Sequence, residues 1–102
     1  MVQYDMESNI TDEPNLVCSF TEQMDTANCL KVEEEILNKV RESKVPVIFN
    51  MQDVDYVSSV FLGMCLKVSK EIGFPNFTVI NVQPNVKKVF KIAGFDKQIS
   101  IT

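Results

Sequence analysis

The fold is decided by residues 47–73, whose sequence is VIFNMQDVDYVSSVFLGMCLKVSKEIG. The run Val47–Phe49 is continuously apolar, which is typical of a strand with both faces covered. From Val57 onward the apolar residues recur at helical spacing, and Gly73 followed by Pro75 predicts the end of the helix. The members of this stripe are Val57, Val60, Phe61, Met64, Cys65 and Val68. The stretch therefore predicts a buried strand followed by an amphipathic helix, the unit from which parallel sheets are built.

Similar units are predicted on both sides of this stretch. Towards the N-terminus, two short segments joined by the turn-rich connector SNITDEPN precede a helix that Asp25 caps. In the first segment Val2, Tyr4 and Met6 share one side of a half-buried strand. Towards the C-terminus, an apolar strand precedes a short helix. The predicted strands are 2–7, 16–21, 45–50, 77–82 and 98–101, and the predicted helices run from Asp25 to about Ser43, from Val57 to Gly73 and from Pro84 to Gly94.

The resulting order, β-β-α-β-α-β-α-β, predicts the fold class. Strands that alternate with helices imply parallel neighbours and right-handed crossovers, while the initial hairpin is antiparallel. We therefore expect a mixed sheet of about five strands in an α/β fold. The length of 102 residues fits a single domain over residues 1–102.

Composition limits the partners and the compartment. The net charge of -4 disfavours nucleic acid as the main partner, because nucleic-acid binders carry basic surfaces. No apolar run reaches the roughly 18 residues that span a membrane, and the N-terminus lacks the features of a secretory signal. The three cysteines are odd in number and far apart, which is typical of a reducing compartment. We expect a cytoplasmic protein without direct membrane insertion.

Residues suited to catalysis or metal binding are sparse. The chain has no histidine, which excludes His-paired nucleophiles and the commonest metal ligand. The glycines Gly63, Gly73 and Gly94 do not cluster as a phosphate-binding loop requires, and the cysteines lack zinc-site spacing. Asp53 and Asp55 have the chemistry of a metal or acid–base pair, but we interpret them as polar loop residues. We expect no enzyme activity, no catalytic residue, no metal and no cofactor.

Ser58 and Ser59 lie between the predicted strand and helix. A hydroxyl there can accept a hydrogen bond from a free backbone N–H and cap the helix, a contribution of about 1 kcal/mol. It can also accept a phosphate, which the positive helix end would stabilise. Such a phosphate would add about two negative charges beside Val60 and Phe61 and would repel a partner packed there. We interpret the serines as caps, and phosphorylation of Ser59 or Ser58 is the alternative.

Longer segments resemble a known family. The stretch VIFNMQDVDYVSSVFLGMCLKVSKEIG, followed by FTVINVQPNVKKVFKIAGFDKQISI, resembles the STAS domain of bacterial anti-sigma-factor antagonists. Within it, VQPNVKKVFKIAGF is similar to the family pattern pSPxVxxxFxxxGL. Upstream, FTEQMDTANCLKVEEEI is similar to LxGELDxxTAxxL, with Asp25 at the aspartate. The resemblance extends over nearly the whole chain, although relatives often carry another helix after the last strand. It implies a STAS fold with helices mostly on one face of the sheet.

The resemblance also implies a function. Family members bind an anti-sigma factor, often itself a serine kinase, and so regulate transcription. The kinase phosphorylates the second hydroxyl residue of an Asp-Ser-Ser/Thr-Gly-Leu-Gly motif, and binding is then lost. Aligned without a gap on Leu62-Gly63, the acceptor position falls on Val60, which has no hydroxyl, and the switch is disabled. An insertion of one residue in the first helical turn would instead place the acceptor on Ser59.

The same resemblance implies a partner-binding patch formed by the loop 56–63, the first turns of the following helix and the nearby Asp25. Its candidate residues are Asp25, Ser58, Ser59, Val60 and Phe61. Phe61 is either an exposed anchor or a core residue, because it also belongs to the apolar helical stripe. Asp25 can both cap its helix and face the partner. The implied partner is an anti-sigma factor or a serine-kinase-like protein.

Two other function classes remain open. A scaffold STAS module of a signalling or transporter-associated complex would act by protein docking or self-association, and a stable large oligomer would favour it. A sensor of small molecules would bind a nucleotide or a lipid at the loop end of the sheet. The missing phosphate-binding loop argues against a nucleotide ligand.

Overall fold

The computed structural model of the protein describes residues 2–8 and 14–102. Within these ranges the chain forms five strands and three α-helices in the predicted order, so the predicted α/β class is confirmed. The strands are β1 (Val2–Ser8), β2 (Pro14–Phe20), β3 (Val47–Asn50), β4 (Phe77–Ile80) and β5 (Ser100–Ile101). The helices are α1 (Thr26–Ser43), α2 (Ser59–Ile72) and α3 (Pro84–Ile92), with short 3₁₀ helices at Phe74–Asn76 and Phe95–Lys97.

The strands form one mixed sheet in chain order, β1-β2-β3-β4-β5. β1 and β2 pair antiparallel, and each later strand is parallel to the one before it. The predicted hairpin followed by parallel strands is therefore confirmed. Of the predicted connector 8–15, Ser8, Pro14 and Asn15 belong to the two strands. Its residues 9–13 lie outside the described part of the chain.

The core lies on one face of the sheet. Alternate residues of the central strands are buried together with apolar residues from α1, α2 and α3. These strand residues are Leu16, Cys18, Phe20, Val47, Phe49, Phe77 and Val79. Helices lie on this face because successive right-handed crossovers that advance in one direction along a sheet pass over the same side. The expectation of helices mostly on one face is confirmed.

β3 differs from its prediction for the same reason. Val47 and Phe49 are fully buried, whereas the intervening Ile48 and Asn50 are half-buried. The expectation that both faces of this strand are covered is therefore wrong. In β1, Val2 and Tyr4 pack partly against the core, but Met6 is 56% exposed. Its predicted apolar side is incomplete, because an edge strand is covered less fully than a central one.

Helix ends agree with the capping residues in the sequence. α1 follows Asp25 and α2 follows Ser58, and both side chains accept a backbone hydrogen bond. After α2 and α3, Gly73 (φ +87°) and Gly94 (φ +81°) adopt positive φ values that glycine reaches without strain. Among the described residues, no helix combines the length and the apolar character that a membrane crossing requires.

Candidate functional site

Two loops at the carboxyl ends of β2 and β3 lie side by side. The Met24 N–H donates to the Tyr56 carbonyl at 3.1 Å, and the Ser58 N–H donates to the Met24 carbonyl at 2.9 Å. Met24 and Val57 also form a parallel bridge, with both side chains buried. These contacts bring the start of α1 next to the start of α2. Two helix N-termini, each with partial positive charge, therefore share one edge of the molecule.

Asp25 caps α1 from an exposed position. Its Oδ1 accepts a hydrogen bond from the Asn28 N–H at 2.8 Å, so the predicted cap is confirmed. The Asn28 side-chain amide donates to the Gln23 carbonyl at 2.7 Å and fixes the chain before the helix. Because a carboxylate has two oxygens and about four acceptor positions, capping leaves capacity for a contact from outside.

Ser58 caps α2 from a buried position. Its Oγ accepts a hydrogen bond from the Phe61 N–H at 3.3 Å, and the residue is 8% exposed. The Cys29 Sγ lies 3.9 Å from the same oxygen. Of the two serines interpreted as caps, Ser58 is therefore the cap, whereas Ser59 is the first residue of the helix. A phosphate on this oxygen would break the cap and displace Cys29, so the geometry argues against Ser58 as a phosphoacceptor.

Ser59 and Val60 form the outward part of the first turn of α2. Ser59 is exposed and is the first helical residue, and Val60 is half-buried at the edge of the core. The Leu62 N–H donates to the Ser58 carbonyl at 3.4 Å, and the helix continues without interruption to Ile72. A hydroxyl and an apolar side chain thus lie next to each other where α2 begins.

Phe61 belongs to the core. The residue has 0% exposure. Its ring centroid lies 5.5 Å from that of Phe20, and the rings of Phe49 and Phe90 lie at 6.1 Å and 6.3 Å. Its assignment to the partner-binding patch is therefore wrong, because the ring fills the space between the sheet and α3 and has no free surface. Of the two interpretations of Phe61, the core residue is the one that the structure bears out.

Gln23 is a site residue that was not predicted. Its Oε1 accepts hydrogen bonds from the Asp55 N–H at 2.8 Å and from the Tyr56 N–H at 3.0 Å. A signal for this role existed, because in the motif LxGELDxxTAxxL, aligned at Asp25, Gln23 occupies the position of the family's glutamate. Glutamate and glutamine carry the same acceptor oxygen at the same distance from the backbone.

The carboxylates near the site are exposed, and the thiols of the described residues are buried. Asp53 and Asp55 are exposed loop residues. Within residues 2–8 and 14–102, no group of three or more His, Cys, Asp or Glu residues is placed to hold a metal ion. Burial raises the pKa of the Cys18 thiol to about 12, and it also raises the pKa values of Cys29 and Cys65. The three thiols are therefore protonated near neutral pH and are poor nucleophiles.

Comparison with known proteins identifies the family. The family model of the STAS domain matches residues 5–102. The chain belongs to the STAS domain family. BtrV of Bordetella bronchiseptica, which is named as a candidate anti-sigma factor antagonist, is 28% identical over 74 residues. That match covers 71% of this chain and 64% of BtrV, so the STAS domain described here spans less than two thirds of that relative.

Solved structures share the fold. A candidate anti-sigma factor antagonist from Thermotoga maritima has a TM-score of 0.80 at 14% identity, over 96% of this chain and 84% of its own. Phosphorylated SpoIIAA from Bacillus has a TM-score of 0.66 at 18% identity, over 98% of this chain and 91% of its own. At these identities the likeness shows the fold alone. The predicted STAS fold is thereby confirmed.

Proposed function

We propose that this STAS domain regulates transcription by binding an anti-sigma factor or a serine-kinase-like protein. The observation that carries the proposal is the junction of two helix N-termini, held by backbone hydrogen bonds between Met24, Tyr56 and Ser58. On this base Asp25, Ser59 and Val60 offer surface to a partner. The name of BtrV supports the same class of function.

In this function Val60 replaces the usual phosphoacceptor. The uninterrupted helix from Ser59 to Ile72 supports an alignment without an inserted residue in the first turn. The Ser58 hydroxyl is engaged in the buried cap, which leaves the exposed Ser59 as the alternative acceptor. Without a hydroxyl at position 60, the domain stays competent for binding when a kinase is present.

Phosphorylation by a kinase-type anti-sigma factor that binds the domain tests the position of the acceptor. Wild type, Ser59→Ala and Val60→Ser are incubated with the kinase and ATP, and intact mass counts the phosphates. We expect no phosphate on wild type or on Ser59→Ala, and one phosphate on Val60→Ser, where a hydroxyl returns to the acceptor position. A stoichiometric phosphate on wild type that Ser59→Ala abolishes would show that Ser59 is the acceptor.

Binding itself is tested with Val60→Asp. A charge at this half-buried position would be desolvated by a partner, so we expect at least about a tenfold loss of affinity in calorimetric titration with the anti-sigma factor. Ile92→Asp is the matched control, because Ile92 is 79% exposed at the end of α3, outside the junction. Equal losses for both variants would count against the proposed surface.

The proposal places the protein in the cytoplasm, where sigma factors act and where the buried thiols stay reduced. A scaffold role is the second candidate. It is favoured by the sheet face opposite the helices, on which Ile48 and Ile80 are half-buried. Light scattering of the purified protein decides between the two: a stable large oligomer without any added partner would favour the scaffold.

A further inference from the structure

Gln23 joins two loops that are distant in sequence. Its Oε1 accepts from two consecutive backbone N–H groups, those of Asp55 at 2.8 Å and Tyr56 at 3.0 Å, which lie 32 and 33 residues further along the chain. Gln23 is itself fixed, because its carbonyl accepts from the Asn28 side chain at 2.7 Å. The amide of Gln23 therefore connects the start of α1 to residues 53–58, here called the 53–58 loop.

The backbone of the 53–58 loop is held along most of its length. The Val54 N–H donates to the Met51 carbonyl at 3.0 Å, and the Asn85 side-chain amide donates to the Asp55 carbonyl. The Tyr56 carbonyl accepts from the Met24 N–H at 3.1 Å. Both backbone groups of Tyr56 are therefore hydrogen-bonded, one of them by Gln23.

The side chain of Tyr56 contrasts with its fixed backbone. The residue is 55% exposed, although its neighbour Val57 is buried in the core. An exposed tyrosine on an ordered backbone has few degrees of freedom to lose on binding, which favours it as an interface anchor. The ring supplies apolar contact area, and the hydroxyl supplies a hydrogen bond at the rim of a pocket.

We infer that Tyr56 is an aromatic anchor for the protein partner and that Gln23 is the residue that positions it. The inference rests on the proposed function. Within the loop of the predicted patch it singles out Tyr56 as the anchor, and it adds Gln23 as the residue that holds that loop. The partner that fits is a protein with an apolar pocket for the Tyr56 ring and a polar group facing the adjacent Asp25, and an anti-sigma factor is the candidate.

Amide hydrogen exchange tests the positioning role without any partner. Gln23→Leu keeps a similar side-chain size but removes the acceptor, and Gln23→Glu keeps the acceptor. We expect the Asp55 and Tyr56 amides to exchange at least about fivefold faster in Gln23→Leu, and to stay protected in Gln23→Glu. Amides within α3 serve as the internal reference for global stability. Unchanged protection in Gln23→Leu would overturn the positioning role.

Affinity for the anti-sigma factor tests the anchor. We expect about a tenfold or larger loss for Tyr56→Ala, a smaller loss of about three- to tenfold for Gln23→Leu, and affinity close to wild type for Gln23→Glu. Ile92→Ala, which truncates a more exposed apolar side chain, is expected to bind as wild type does. Thermal unfolding of each variant confirms that it is folded.

Together, the amide-exchange and binding experiments distinguish a failure of this inference from a failure of the proposed function. If wild type binds but Tyr56→Ala and Gln23→Leu bind equally well, the inference is overturned and the proposed function stands. If wild type binds no anti-sigma factor, the proposed function fails, and the interface role of Tyr56 fails with it. Amide exchange still decides whether Gln23 holds the loop.

Discussion

The starts of α1 and α2 use the same capping chemistry in opposite surroundings. Asp25 accepts from the Asn28 N–H at 2.8 Å on the surface, whereas Ser58 accepts from the Phe61 N–H at 3.3 Å in a buried position. The α1 cap is a charged group open to solvent, and the α2 cap is a neutral hydroxyl beside Cys29. A buried carboxylate would be costly, so the neutral residue suits the interior.

This contrast separates structural residues from residues that a partner can reach. Around α2, Ser58 and Phe61 are buried and hold the helix on the core, while Ser59 is exposed and Val60 is half-buried at the edge of the core. At α1, Asp25 both caps the helix and is exposed to solvent. Substitutions on the buried side should therefore change stability, and substitutions on the outer side should change binding.

The largest effect is expected for Phe61→Ala. Removing this fully buried ring leaves a cavity among Phe20, Phe49 and Phe90, so we expect the free energy of unfolding to fall by about 3–5 kcal/mol. Urea denaturation measures the change. Val60→Ala is the control and should lose about 1 kcal/mol or less, because Val60 is half-buried. A nearly unchanged stability for Phe61→Ala would return Phe61 to the partner-binding patch.

The second-largest expected effect is a loss of folding stability at high pH, which is caused by the buried thiols. Below about pH 9 the Cys18 thiol is protonated in both the folded and the unfolded chain. Between about pH 9 and pH 12 the thiol is deprotonated in the unfolded chain but stays protonated in the folded chain. The folded state then binds more protons, so stability falls with rising pH, by about 1.4 kcal/mol per pH unit for this thiol. Cys29 and Cys65 act in the same direction.

Urea titrations at pH 8, 9 and 10 measure this slope. The comparison variant is Cys18→Ala, which removes the thiol but keeps the other ionisable groups. Its slope should be shallower than that of wild type between pH 9 and pH 10. Equal slopes would show that the Cys18 thiol does not contribute to the loss.

A smaller effect is expected for the buried cap. Ser58→Ala removes the acceptor for the Phe61 N–H, and we expect a loss of about 1 kcal/mol in the free energy of unfolding. Ser59→Ala, on the adjacent exposed residue, should stay within about 0.5 kcal/mol of wild type. If the two alanine variants had the same stability, the assignment of the cap to Ser58 would be refuted.

Local patterns predicted most of the fold. The order of elements, the cap at Asp25, a serine cap at Ser58 or Ser59, and the helix end at Gly73 depend on residues a few positions apart, which the sequence displays directly. Local patterns could not predict that Ile48 is only half-buried. Its exposure depends on the order of strands in the sheet, which places the helices on one face.

The candidate site was predicted less completely. The apolar stripe predicted which face of α2 points inward, but it does not predict how deeply each residue is buried. The ring contacts of Phe61 decide that it is a core residue and not an exposed anchor. The role of Gln23 depends on hydrogen bonds to residues more than thirty positions further along the chain. The periodicity of apolar residues does not predict such long-range hydrogen bonds. The sequence therefore indicates the candidate residues at the start of α2, but it does not separate the buried ones from the exposed ones.

The smallest change in stability, and the sharpest test of the exposed cap, is expected for Asp25→Asn. Asparagine caps helices about as well as aspartate, so the free energy of unfolding should stay within about 0.5 kcal/mol of wild type, whereas Asp25→Ala should lose about 1 kcal/mol. Asparagine lacks the negative charge, however. If the partner uses that charge, affinity for the anti-sigma factor should fall in both variants alike while stability falls in Asp25→Ala alone. If Asp25→Asn binds the anti-sigma factor as tightly as wild type, the charge of Asp25 does not contribute to binding and Asp25 is only a helix cap. Recognition of the partner would then depend on Tyr56 and Val60.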